Sequence, residues 1–162
     1  MEYRTTYDSP LGQLTLACDG TSLTGLWLAG QRYFGGKSVE WLENGDLPIF
    51  AAAAKWLDAY WGGDEPDPME LPLAPDGTPF QNKVWQCLLD IPYGQTRTYG
   101  DLAAMLGCGS ARAIGGAVGR NPISIIIPCH RVLGADGALT GYAGGTECKR
   151  WLLEHEELSR QQ

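Results

Sequence analysis

The sequence is poor in the features that would tie it to a membrane or to an oxidising compartment. No apolar run approaches the ~20 residues that cross a bilayer. The opening Met1-Glu2-Tyr3-Arg4-Thr5 lacks the basic-then-apolar pattern of a signal peptide. The expected setting is the cytoplasm, with no membrane partner. Cys-x-x-Cys pairs are missing too. Cys18, Cys87, Cys108, Cys129 and Cys148 are odd in number and widely spaced, which indicates neither a disulfide framework nor a zinc ribbon but free thiols in a reducing environment. Histidine is scarce, and neither His130 nor His155 falls in the N-terminal half, where no constellation of nucleophile, base or ligands is found. Charged residues make up only 19% against 44% hydrophobic, an ordinary balance for a globular chain. A length of 162 residues allows one domain or two small ones, and the pattern reads as two.

The net charge of −7 is unevenly spread: residues 1–79 hold four Lys/Arg against twelve Asp/Glu, and residues 80–162 hold eight against seven. The C-terminal half can therefore face a phosphate backbone with the acidic half turned away.

Residues 2–29 alternate β-prone runs with turn signals (Ser9-Pro10-Leu11-Gly12, Asp19-Gly20), the pattern of an antiparallel meander. Phe50, Ala53, Ala54, Leu57, Tyr60 and Trp61 share a helical face that ends at Gly62-Gly63. A helix over a small sheet makes an N-terminal α/β domain, residues 1–77, with a supporting role. Residues 62–79 carry five prolines and read as a connection. A C-terminal domain, residues 78–162, then opens with Thr78 as helix cap and Pro79 at the first helical position.

Within it, Ile123, Ile125, Ile126 and Ile127 lead to Pro128-Cys129-His130. Four isoleucines in five positions read as a strand buried on both faces, stopped by a proline that has no N–H to give. Cys129 is thereby delivered to an edge, with His130 as the obvious base. Adjacent side chains on an extended chain point apart, so the proton passes either through a turn at Cys129 or through a water. Residue types alone fit an inert core cysteine at least as well. One carboxylate of Glu154-His155-Glu156-Glu157 could orient the imidazole, although such a run is usually a solvated face.

Thr98-Tyr99-Gly100-Asp101 has the capping-box form, and Ser110 can cap a second short helix over residues 111–118. Two short helices around a glycine-containing turn fit a helix-turn-helix or a plain αα-hairpin. Gly115 and Gly116 cost that second helix about 1 kcal/mol each against alanine, which asks for close approach of another backbone. A narrow helix of Ala111, Ala113 and glycines with Arg112 as probe could enter a confined groove. Arg120-Asn121-Pro122 runs from it straight into the Cys129 stretch. The same arginine would also serve as a solvated surface charge.

The run PCHRV at 128–132, preceded by ARAIGGAVGRNP at 111–122 and followed by GYAGG at 141–145, closely resembles the methylated-DNA–protein-cysteine methyltransferases, or 6-O-alkylguanine-DNA alkyltransferases. The likeness spans at least residues 78–156, and SPLG at 9–12 is similar too. It implies an α/β (α+β) protein: a ribonuclease H-like N-terminal domain of antiparallel sheet and helix, and a C-terminal helical domain resembling a winged helix-turn-helix.

The implied activity is DNA repair by direct reversal. A base is flipped from double-stranded DNA by a helix-turn-helix in the minor groove. Its alkyl group then moves from O6-methylguanine, with O4-methylthymine a second candidate, irreversibly and once per molecule to Cys129. By the same likeness His130 takes the thiol proton through a water and Glu156 orients it. Asn121 is the hinge, and Tyr99 assists flipping and donates toward the guanine oxygen. Arg112 fills the vacated space, on a recognition helix that includes Ala111, Ala113, Gly115 and Gly116. Val132, Tyr142 and Ala143 line the base pocket, the first and last through backbone groups; some relatives carry serine at the position of Ala143.

No cofactor is implied, and the protein is expected to act as a monomer. Some relatives hold an N-terminal zinc through cysteines and histidines; only Cys18 lies in that region, so no metal is expected. Thr146 and Cys148 stand where relatives often have leucine and a basic residue. A non-catalytic damage sensor would dispense with the Cys129, His130 and Glu156 set, and a cysteine hydrolase would leave Arg112 without a purpose.

Overall fold

Turn chemistry at the N-terminus sets the first sheet. In the computed structural model, which describes residues 2–31, 41–139, 142 and 145–160, strand β1 (Glu2–Ser9) turns at Pro10-Leu11 into β2 (Gly12–Cys18). Gly12 takes a φ of 100° there, and the Ser9 hydroxyl donates to its carbonyl at 2.7 Å. Strand β2 pairs antiparallel with both β1 and β3 (Leu23–Leu28). The Asp19 carboxylate closes the second turn by accepting the Thr21 and Ser22 N–H groups at 3.0 and 2.8 Å.

The expected meander is present, but the sheet is not purely antiparallel. A short β4 (Trp41–Glu43) lies parallel to β1 and completes the order β3-β2-β1-β4. Three residues are too few to show a period, so nothing in the pattern announced it. Helix α1 (Pro48–Trp61) buries Ile49, Phe50, Ala53, Trp56, Leu57 and Tyr60 in the core that also takes Leu14, Leu16 and Cys18 of the sheet. Each fully buried aliphatic side chain there contributes roughly 1.5–3 kcal/mol.

The proline-rich connection runs along the sheet edge, where Leu73 bridges Leu23 in parallel. Helix α2 (Pro79–Leu89) then starts with a capping box between Thr78 and Gln81. Strand β5 (Arg97–Thr98) leads into α3 (Tyr99–Met105), capped reciprocally by Thr98 and Asp101, and α4 (Ala111–Gly119) is capped by Ser110. Strand β6 (Val132–Leu133) pairs parallel with β5, Arg97 opposite Val132 and Thr98 opposite Leu133, which ties the start of α3 to the chain that leaves the Cys129 turn. Helix α5 (Thr146–Arg160) closes the chain. Its first residue is Thr146 itself, and the Gly145 carbonyl accepts the first helical N–H, from Lys149 at 3.1 Å. The cap therefore falls at Gly145.

The isoleucine run is not a strand. Its residues are buried as expected, but only Ile123 makes a bridge, to Leu26. Ile126 N–H bonds to the Ser124 carbonyl at 2.8 Å across Ile125, whose φ is 73°, and Cys129 N–H bonds to the Ile127 carbonyl at 2.8 Å across Pro128. These are two three-residue γ-turns in succession, the first of the strained kind. The Asn121 side chain replaces a neighbouring strand: its Oδ1 accepts from Ile123 N–H at 3.0 Å, and its Nδ2 donates to the Ile127 and Ile123 carbonyls at 2.8 and 3.3 Å. A fully buried apolar run carries no period that would tell a strand from such a knot.

Candidate active site

Cys129, His130 and Arg131 form a single 3-10 turn immediately after Pro128, so the chain does bend at the cysteine. All three residues are buried, with Cys129 4% exposed. Burial pushes the Cys129 thiol up to about 11, while the Asn121 side-chain hydrogen bond and the Lys149 charge work in the opposite direction. At neutral pH the group is a thiol, and attack requires its proton to be taken.

The acceptor for that proton is defined by the other end of the imidazole. His130 Nε2–H donates to Glu156 Oε2 at 2.5 Å, which leaves Nδ1 as the basic nitrogen. Nδ1 has no hydrogen-bond partner among the described residues. Burial holds His130 below the ordinary histidine range. The Glu156 carboxylate raises it, but the charges of Arg131 and Lys149 add to the effect of burial. The ring is therefore neutral and able to accept at pH 7.

Glu156 is completely buried and is met by five donors: His130, Arg131 Nε and Nη2 at 2.8 and 3.2 Å, the Tyr60 hydroxyl at 2.7 Å and Gly94 N–H at 3.1 Å. Burial alone would raise its carboxyl, but His130 and Arg131 hold it well below the usual carboxylate range. Arg131 is itself fixed by donating to the Ile91 carbonyl at 2.8 Å.

The residues expected to contact the substrate base divide three ways. Tyr142 packs against the core near Cys129; among the described residues its buried hydroxyl has no hydrogen-bond partner, the Ser124 hydroxyl beside it donating instead to Gln31. Burial and the nearby thiols hold Tyr142 well above the ordinary tyrosine range. Val132 is fully buried at the end of the reactive turn, and Tyr99 is half-buried at the start of α3. Ala143 lies outside the described residues.

On α4, Ile114, Ala117 and Val118 face inward, and Trp85 of α2 donates its indole N–H to the Ala117 carbonyl at 2.9 Å. Ala111, Arg112, Ala113 and Gly116 are exposed. A Cβ added at Gly116 would meet nothing within 4 Å, and one at Gly115 only the Tyr99 ring at 3.8 Å. No packing within the described protein requires either glycine.

Three groups at this site were not singled out from the sequence. Lys149 is fully buried, its Nζ 6.0 Å from the centroid of the Tyr99 ring, and burial brings it down to about 8, the Cys129 charge opposing. Arg131 and Tyr60 are the others. A signal existed for Lys149: the buried positions of α5 include Lys149, Leu152 and Glu156, at the i, i+3, i+7 spacing of one helical face. Tyr60 carried no signal beyond its place in the apolar face of α1.

Comparison with known proteins supplies the wider setting. Residues 2–75 match the family "6-O-methylguanine DNA methyltransferase, ribonuclease-like domain", and residues 79–158 match "6-O-methylguanine DNA methyltransferase, DNA binding domain". A methylated-DNA–protein-cysteine methyltransferase of Mycobacterium leprae is 52% identical over 153 residues, covering 93% of this chain and 89% of the relative. One of Haemophilus influenzae is 44% identical over 157 residues, covering 96% and 87%. The crystal structure of Mycobacterium tuberculosis OGT in complex with DNA superposes with a TM-score of 0.86 at 46% identity, covering 97% of this chain and 94% of that one. With both family models matched and relatives of this identity aligned along almost its whole length, the chain belongs to the 6-O-methylguanine-DNA methyltransferase family.

Proposed function

We propose that this protein repairs alkylated DNA by moving one alkyl group from the exocyclic oxygen of guanine to Cys129, once per molecule. The observation that carries the reading is a buried thiol followed in the chain by an imidazole whose Nε2 is held by a carboxylate and whose Nδ1 has no partner among the described residues.

In the transfer, the sulfur of Cys129 attacks the alkyl carbon, the S–C bond forms and the C–O bond to guanine breaks. The thiol proton goes to His130 Nδ1 through a water. Glu156 keeps Nε2 protonated and stabilises the imidazolium that results. The departing guanine oxygen gains charge, and a donor there lowers the barrier; we assign this to the Tyr99 hydroxyl. Guanine leaves with a proton in place of the alkyl group. Lys149 adds a positive charge that favours the thiolate.

The alkylated base reaches this pocket by flipping, and unstacking is offset by contacts with the duplex. The α4 face of Ala111, Arg112, Ala113, Gly115 and Gly116 would lie in the minor groove, where bare glycines permit close approach and Arg112 fills the space of the base. Backbone groups of Val132 and Ala143, with Tyr142, would hold the base edge, and Asn121 would brace α4 against the reactive turn. On the same reading, residues 1–77 form a supporting domain and residues 78–162 the DNA-binding and transfer domain. A cytoplasmic setting suits five free cysteines, and among the described residues no helix is long and apolar enough to cross a membrane.

The test is intact-mass analysis of the protein mixed with duplex DNA carrying one O6-methylguanine, beside a Cys129→Ala control. The expected result is a gain of one methyl group on Cys129 that saturates at one per molecule and is absent from the control. Binding of the DNA without any gain in mass would replace the transferase with a damage sensor.

A further inference from the structure

Among the described residues the N-terminal half gathers no metal-ligand cluster, yet one of its side chains ends in the active site. Tyr60, in the last turn of α1, is completely buried. Its hydroxyl donates to Glu156 Oε2 at 2.7 Å, the same oxygen that takes His130 Nε2–H at 2.5 Å. The ring has little freedom: it stacks on Trp56 at 5.8 Å and 9°, and meets Trp61 and Tyr93 edge-on at 5.0 and 6.0 Å. Helix α5 returns the contact one residue earlier, where His155 Nε2–H donates to the Tyr60 carbonyl at 2.7 Å. Adjacent residues of α5 thus grip the backbone and the side chain of one residue of α1.

We propose that Tyr60 is a positioning residue of the transfer chemistry: its hydroxyl holds the Glu156 carboxylate against His130 and takes a share of that oxygen's negative charge. The inference rests on the transferase reading for its consequence in rate, but the contact itself acts on His130. Arg131 Nη2 also donates to Oε2, at 3.2 Å; an oxygen that accepts several donors gives less to each, so Tyr60 competes with His130 for Oε2. The ring is kept fixed in orientation yet weakly basic, neutral down to lower pH than a His–Glu pair alone would allow. The charged and titratable groups that face this pair are Arg131 on the reactive turn, Lys149 on α5, and Tyr93 and Tyr142. Among the described residues none of these comes from α1, so Tyr60 gives the N-terminal half a direct hydrogen bond to the Glu156–His130 pair.

The experiment compares the full chain with Tyr60→Phe in two measurements: a nitrogen NMR titration of the His130 ring without DNA, and the pH dependence of single-turnover methyl transfer. Tyr7→Phe is the comparison, because Tyr7 also donates to a carboxylate, Asp58 of α1, at 2.5 Å, but that carboxylate is not Glu156. In Tyr60→Phe the His130 pKa should rise by about 0.5–1 unit, with the acid limb of the rate profile moving by the same amount. In Tyr7→Phe neither should move, whatever the change in melting temperature. A Tyr60→Phe titration matching the unsubstituted protein, or an equal shift in Tyr7→Phe, would overturn the proposal in favour of plain packing. A shifted titration in a protein that transfers no methyl group would support the Tyr60 contact and overturn the transferase reading. Independently of any variant, the buried Tyr60 hydroxyl proton should exchange slowly and shift as His130 titrates, and a resonance that stays still would also overturn the proposal.

Discussion

Replacing Asn121 by alanine tests whether one side chain holds the reactive loop in its folded form. The substitution removes the acceptor for Ile123 N–H at 3.0 Å and the donor to the Ile127 and Ile123 carbonyls at 2.8 and 3.3 Å. Ile123 and Ile127 are 0% and 1% exposed, so water does not take over. Ile123 N–H would be orphaned, at about 1–3 kcal/mol. The two carbonyls keep the Ile127 and Cys129 N–H groups and lose one partner each, at about 0.5–1 kcal/mol apiece. The expected destabilisation is about 2–5 kcal/mol, measurable by denaturant unfolding because a domain holds about 5–15 kcal/mol in total. The strained Ile125, at φ 73°, would be free to relax, and Cys129 would lose the hydrogen bond that partly offsets its burial. Methyl transfer should therefore fall further than the folded fraction does. Asn121→Asp keeps the acceptor but sets a carboxylate against two carbonyls, and should rescue neither property. A loss of stability below 1 kcal/mol together with full transfer would refute the reasoning, because isoleucine packing alone would then hold the loop.

Other outcomes follow from the same site. Gly116→Ala should raise the melting temperature, since alanine gains about 1 kcal/mol over glycine in a helix and its Cβ meets nothing within 4 Å; affinity for duplex DNA should fall, and unchanged affinity would remove α4 from the interface. Stability should decline on acidification in two stages. His130, held low in the fold, is protonated first in the unfolded chain as pH drops through about 6.5, and Glu156, also held low, loses its contribution below about 4.5 as pH falls toward its folded value. Thermal melts from pH 8 to 4 that show no decline below 6.5 would contradict the neutral imidazole. Lys149→Met removes a charge that brings the Cys129 thiol down, and should slow transfer below pH 8 by about tenfold for each pKa unit the thiol rises; equal rates in a stopped assay would show that the lysine is there for packing.

Helix starts were legible in the sequence because capping is a local matter. Thr78, Thr98 and Ser110 each accept an N–H three residues on, and the first two complete a reciprocal box; all the groups involved sit within four positions. The apolar face of α1 was legible for a similar reason, since burial repeats with the helical period. The isoleucine run was not, because what shapes it is a polar side chain two residues before it, and a continuous apolar stretch has no period. The parallel strand β4 was too short to leave a trace. Among Glu154, Glu156 and Glu157, residue types could not decide which carboxylate turned inward; only Glu156 is buried, because it shares the α5 face of Lys149 and Leu152.

Read by itself, the chain determined the local elements, the uneven charge and, through several motifs in register, the family and the chemistry that family performs. These depend on residues near one another in sequence, where spacing stands in for distance. Tertiary structure decided how the site is assembled. Glu156 lies 26 positions from His130, and Tyr60 lies 96 from Glu156, and no pattern along a chain records which distant helices meet. The proton affinities of Cys129, His130, Lys149 and Glu156 are likewise properties of the fold, because desolvation and neighbouring charge exist only once the core has closed around them.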